Sequence, residues 1–67
     1  MNDDLVRIGR ILRRRRQAAG LTQRQLGSRS GIAVPQLSRI ENGLVDARIS
    51  TLLRILAGLE TPEQGRI

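Results

Sequence analysis

The stretch from Thr22 to Gly43, TQRQLGSRSGIAVPQLSRIENG, leaves the chain little choice of fold. Thr22 is a good N-cap, and Gln25, three residues on, completes a capping box that opens a helix. Leu26 anchors that helix inwards. Gly27 stands where two helix backbones crossing steeply need the smallest side chain. Gly31 supplies the positive φ that ends the helix and turns the chain, and Ile32 plugs the corner. Leu37 and Ile40, three apart, form the buried stripe of a second short helix, whose other face is left to project outwards.

The flanking sequence reads as further helix. A first helix is predicted over Asp3–Ala19, with Asn2 as N-cap, Asp3 and Asp4 at the positive end of its dipole, and Gly20 as terminator. Its inward face is read as Leu5, Ile8, Leu12 and Ala19, flanked by Ile11 and Ala18. The second helix is predicted over Gln23–Ser30 and the third over Val34–Asn42, closed by Gly43. After a loop from Leu44 to Arg48, the spacing of Ile49, Leu52, Leu56 and Leu59 predicts the inward row of a fourth helix, with Leu53 and Ile55 as flanks. Thr61-Pro62-Glu63 resembles the start of a fifth. The expected architecture is therefore all-α, a compact bundle of four to five short helices. Residues 1–60 form the domain, and residues 61–67 are a short tail or a frayed fifth helix.

Composition narrows the chemistry. A chain of 67 residues buries only about 60% of its unfolded surface, so stability rests on few contacts. With no cysteine or histidine there is neither a disulfide nor a thiolate or imidazole metal site, and no cofactor or metal is expected. The six acids are mostly terminal or assigned to structure, so no paired carboxylates mark an enzyme. No apolar run approaches the roughly 20 residues of a membrane span, and the first residues are acidic where a signal peptide is basic, which points to a cytoplasmic protein. The net charge is +6, and all 12 basic residues are arginine. Leu5–Leu59 holds eleven arginines against Glu41 and Asp46, a net +9, with the other acids at the two ends. So basic a domain points to a polyanion; a solvated arginine surface is the alternative that charge alone leaves open.

The ordered set Leu21-Thr22-Gln23, Leu26-Gly27, Gly31-Ile32 and Leu37-Ser38-Arg39-Ile40-Glu41-Asn42-Gly43 resembles the Cro-type, phage-repressor-like helix-turn-helix domain of the xenobiotic-response-element family. The likeness extends upstream through Ile8-Gly9 and Arg16 and downstream through Thr51-Leu52-Leu53 to Leu59. Two positions depart from the pattern. Ser30 stands where a larger apolar residue is usual, and Pro35 lies in the first turn of the third helix, where proline is tolerated. The resemblance implies a lambda-repressor-like fold, double-stranded DNA as partner, and a third helix that enters the major groove.

On a helical wheel Pro35, Ser38, Arg39 and Asn42 lie opposite Leu37 and Ile40. Arg39 is the best base reader, since a guanidinium meets the two acceptors of guanine bidentately; a phosphate contact is its alternative. Ser38 and Gln36 are further polar candidates, while Val34 and Pro35 offer only apolar contact to a thymine methyl. Gln23 and Arg24 at the start of the second helix, with Asn42 and Arg48 beyond the third, are candidate phosphate contacts. The run Arg13–Arg16 turns through about 400°, so its members cannot share one task. The resemblance implies that Arg16 pairs with Glu41 in a largely buried ion pair, which fits a carboxylate beside the Leu37/Ile40 stripe.

So small a module offers few base contacts, and together with the resemblance this implies a homodimer on a palindromic operator, with repression as the leading reading. The competing reading is an antitoxin, which binds a toxin protein and represses its own operon. RNA is disfavoured, because the A-form major groove excludes a helix and the chain has no Phe, Tyr or Trp to stack on bases.

Overall fold

The computed structural model describes residues 2–60, and among them the fold is all-α: α1 (Asp3–Ala18), α2 (Gln23–Ser30), α3 (Val34–Glu41) and α4 (Ile49–Glu60). The expected tail at 61–67 lies outside the described residues. None of the described helices is long and apolar enough to cross a membrane.

Local signals set the helix ends. Asn2 Oδ1 accepts from the backbone N–H of Asp4 at 2.7 Å and of Leu5 at 3.3 Å, opening α1. Both halves of the capping box at α2 are formed, with Gln25 N donating to Thr22 Oγ1 at 3.0 Å and Thr22 N to Gln25 Oε1 at 2.8 Å. Gly31 closes α2 at φ +74°, the left-handed conformation expected for it. α1 and α3 end in paired Schellman bonds, Leu21 N to Arg16 O at 3.1 Å and Leu44 N to Arg39 O at 2.9 Å. Ala19 and Asn42, read as helical, are instead the cap residues of those two turns.

The core is built from Leu12, Leu21, Leu26, Ile32, Leu37, Ile40 and Ile55, with Val45, Ala47, Leu52, Leu56 and Leu59 packed at its margin. α2 packs chiefly on α4, and α1 on α3. Two faces differ from the sequence reading. On α4 the centre of the inward row is Ile55, fully buried, while Ile49 is 76% exposed. The pivot is Gly58, one turn beyond Ile55, where an added Cβ would sit 3.2 Å from Leu26 Cδ1 and 3.3 Å from Ser30 N. That close approach turns Ile55 into the core and carries Ile49 about 120° away from it. On α1 the buried residues are Gly9 and Leu12, with Leu5 half-buried; Ile8 and Ala19, read as inward, are exposed. A Cβ at Gly9 would lie 2.6 Å from the Glu41 carbonyl oxygen, so α1 turns its Gly9 side to α3 and brings Arg13 and Arg16 with it.

Two smaller readings also change. The close neighbour of Gly27 is the turn itself, since its Cβ would fall 2.7 Å from the Ile32 carbonyl oxygen. Ser30 is accommodated in the core because its hydroxyl donates to Leu26 O at 2.8 Å and accepts from Ile32 N at 3.3 Å.

Candidate nucleic-acid interface

The outward side of α3 follows from what its inward side buries. Leu37, Ile40 and Glu41 are buried, whereas Val34, Pro35, Gln36, Arg39 and Asn42 are exposed and Ser38 is half-buried. Pro35, Ser38, Arg39 and Asn42 share an arc of about 100°, with Val34 and Gln36 at its two flanks. Pro35 lies in the first turn, where no intrahelical donor is lost. The start of α3 has no side-chain cap, since its N-cap is Ala33.

One side of this arc opens into a recess of about 760 Å³ formed with the turn and the loop before α4. Gln36, Arg39, Arg48 and Arg54 line it, with Asp46 as the acid among them. The recess thus brings Arg48 to the same opening as Pro35, Gln36 and Arg39 of α3. Arg54 has a second task. Its Nε donates to Ser30 O at 3.2 Å and its Nη2 to Gly31 O at 3.0 Å, placing a cation at the negative end of the α2 dipole.

The opposite end of α3 is held by Glu41, which is 3% exposed. Arg16 Nε donates to Glu41 Oε2 at 2.7 Å and Arg16 Nη2 to Oε1 at 3.0 Å, a two-pronged pair. Arg16 Nη1 also donates to Leu21 O at 2.9 Å, so one guanidinium joins α1, the turn after it and α3. Gln23 Nε2 donates to Glu41 Oε1 at 3.1 Å, and Arg13 Nε approaches the same oxygen at 3.4 Å. Burial works to raise the Glu41 pKa, but the bonds from Arg16, Gln23 and Arg13 and the adjacent Arg16 charge outweigh it and hold the carboxyl below its ordinary value of 4.5.

Arg13 goes on to donate from Nη2 to Asn42 Oδ1 at 2.7 Å, and Asn42 Nδ2 donates to Ser38 O at 2.9 Å and reaches Ser38 Oγ at 3.4 Å. The sequence reading assigns Arg13 no partner of its own. Its position three residues before Arg16, on the same helix face, was the available signal. Arg54 was overlooked altogether, and no local pattern marks it, because its partners are backbone carbonyls more than twenty residues away. Gln23 is only half-exposed and its side-chain amide is engaged by Glu41, whereas Arg24 beside it in the first turn of α2 is exposed.

Residues 7–66 match a family model described as a helix-turn-helix domain. A protein of Haemophilus influenzae named "Uncharacterized HTH-type transcriptional regulator" is 43% identical over 44 residues. That match covers 66% of this chain and 45% of the relative, so the chain accounts for under half of that relative's length. No solved structure matches. With two short helices joined through Gly31, the outer face of the second left clear, and a family match running over nearly the whole chain, this protein belongs to the helix-turn-helix domain family.

Proposed function

We propose that the chain is a Cro-type transcriptional regulator that lays α3 in the major groove of double-stranded DNA, recognises a specific operator and represses by occlusion. The observation that carries this reading is the outward-facing Pro35–Ser38–Arg39 arc, flanked by arginines on a helix whose C-terminal end is fixed to the rest of the fold through Glu41. The major groove, about 12 Å wide, admits one helix with side chains of this size. Arg39 reads guanine, Gln36 and Ser38 contribute polar contacts, and Val34 and Pro35 pack on thymine methyls. Arg24 and Arg48 hold phosphates on either side of the groove, Asn42 adds a contact past α3, and Gln23, its side chain engaged by Glu41, contributes through its backbone N–H at the positive end of α2. The name of the Haemophilus influenzae relative supports a regulatory role.

A homodimer completes the reading. A shallow groove of about 420 Å³ between α1 and α4 is lined by Ile8, Ile11, Leu52 and Leu56, none of which has a task on the DNA side. Apolar surface left on so small a domain supports association with another chain. The antitoxin reading draws on the same groove with a toxin as occupant.

Selection from a random duplex library, followed by binding of the winner and a scrambled duplex at low and near-physiological salt, tests the proposal. An inverted repeat with half-sites about 34 Å apart, preferred at both salts, supports a dimeric operator binder. Salt-sensitive binding without an enriched sequence refutes base reading and leaves only attraction to phosphate. Size measurement of the natively expressed protein separates the dimer from a complex with a different polypeptide.

A further inference from the structure

We propose that Arg13, which touches no base itself, determines specificity at one base position by setting the hydrogen-bonding sense of Ser38 through Asn42. The inference rests on the reading that α3 faces base edges. Arg13 Nη2 donates to Asn42 Oδ1 at 2.7 Å, and Asn42 Nδ2 donates to the Ser38 carbonyl at 2.9 Å. Turning the amide over would set its NH₂ against a guanidinium, which only donates, and its oxygen against a carbonyl, which only accepts. The amide therefore has one orientation, with its donor towards Ser38. That donor also reaches Ser38 Oγ at 3.4 Å. A serine hydroxyl that accepts from one side keeps its single proton to donate on another. On the outward face of α3, Ser38 is thereby biased to donate.

In the major groove guanine presents only acceptors, thymine presents an acceptor, cytosine presents only a donor, and adenine presents both. A donating Ser38 favours guanine or thymine opposite it and disfavours cytosine. Arg13 is fixed in turn by Glu41, whose other oxygen is held by Arg16, so the setting of Ser38 traces back to the buried carboxylate through a continuous set of bonds. Arg13 is a positioning residue in this scheme, and its effect is on base preference rather than on affinity as such.

The test is library selection on the wild-type chain and on S38A, R13M and N42D, with thermal melting of each. The column whose preference S38A removes is the one facing Ser38. Wild type should favour guanine or thymine there. R13M should lower that preference about fivefold, the worth of one hydrogen bond, while leaving the other columns unchanged. N42D presents an oxygen in place of the NH₂, accepts a hydrogen bond from the Ser38 hydroxyl and should move the column towards cytosine. The proposal is overturned if S38A alters no column, if R13M leaves the Ser38 column unchanged, or if R13M weakens all sequences equally in step with a lowered melting temperature. If N42D does not fold, R13M decides alone. A wild-type chain that selects no sequence overturns the DNA-reading proposal itself, whereas one that selects an operator but is indifferent opposite Ser38 overturns this inference only.

Discussion

Replacing Arg16 by Met should destabilise the fold more than any other single change to an arginine. Methionine keeps much of the stem and its packing but removes the guanidinium, and with it the bonds to Glu41 at 2.7 and 3.0 Å and to the Leu21 carbonyl at 2.9 Å. Breaking a buried pair by removing one partner costs about 3–5 kcal/mol, because the charge left behind is shielded from water. Gln23 and Arg13 still reach Glu41 Oε1, which places this case at the lower end, about 3 kcal/mol. In a domain of this size each kcal/mol moves the melting temperature by about 4–8 °C, so R16M should melt about 12–24 °C below wild type by circular dichroism. Arg14→Ala, on the exposed side of α1, should stay within about 0.5 kcal/mol of wild type. The double variant R16M/E41M, which removes both charges, should recover most of the loss, since an apolar pair replaces a buried ion pair at little cost. Melting temperatures of R16M and R14A within about 3 °C of each other would refute the argument, as would a double variant no more stable than R16M alone.

Acid titration of the wild-type fold offers a second check. Glu41 holds its proton less tightly folded than unfolded, so its contribution is fully present above its ordinary value of 4.5 and is lost as pH falls through the lower folded value. Melting temperature should therefore fall in that acid window more steeply for wild type than for E41Q, and parallel curves would contradict it. Ile55→Ala should cost about 2–5 kcal/mol in chemical denaturation, while Ile49→Ala should change stability by no more than about 0.5 kcal/mol. Arg39→Ala should relax preference at one operator position by about 1–3 kcal/mol with the melting temperature held; uniform weakening over all sequences would reassign it to phosphate. Arg48→Ala should do the opposite, weakening every duplex alike and reducing the slope of log K against log salt by about 0.9, which binding in a salt series measures.

How much of this was legible beforehand depended on whether the cause was local. The capping box at Thr22 and Gln25, the left-handed Gly31, and the Leu37/Ile40 stripe depend on residues within one turn of each other, and all three stand as read. The rotation of α1 and α4 does not. Leu52, Leu56 and Leu59 have the right period, but periodicity alone cannot tell which of several apolar residues is central when Ile49, Leu53 and Ile55 stand beside them. Gly9 and Gly58 settle the matter through contacts with other helices, and a glycine gives no hydropathy signal in a periodic pattern. On the candidate interface, the wheel separated the outward residues of α3 from the buried ones. It was silent on Arg13, Arg54 and the side chain of Gln23, whose partners are carboxylate, amide or carbonyl oxygens on other segments, at separations where sequence carries no spacing rule.

The carboxylate of Glu41 also sets the limits of what can be moved as a module. Twenty-odd residues from Thr22 to Gly43 contain both helices, the turn and every side chain on the outer face of α3, and look like a cassette that another scaffold might accept whole. Its last charge, however, is neutralised from outside, by a guanidinium that arrives on α1. Grafted without that arginine, the cassette carries a lone anion into whatever interior receives it. The smallest piece that travels with its own counter-charge runs from Arg16 to Gly43, and the host must supply what Leu12 and Ile55 supply here.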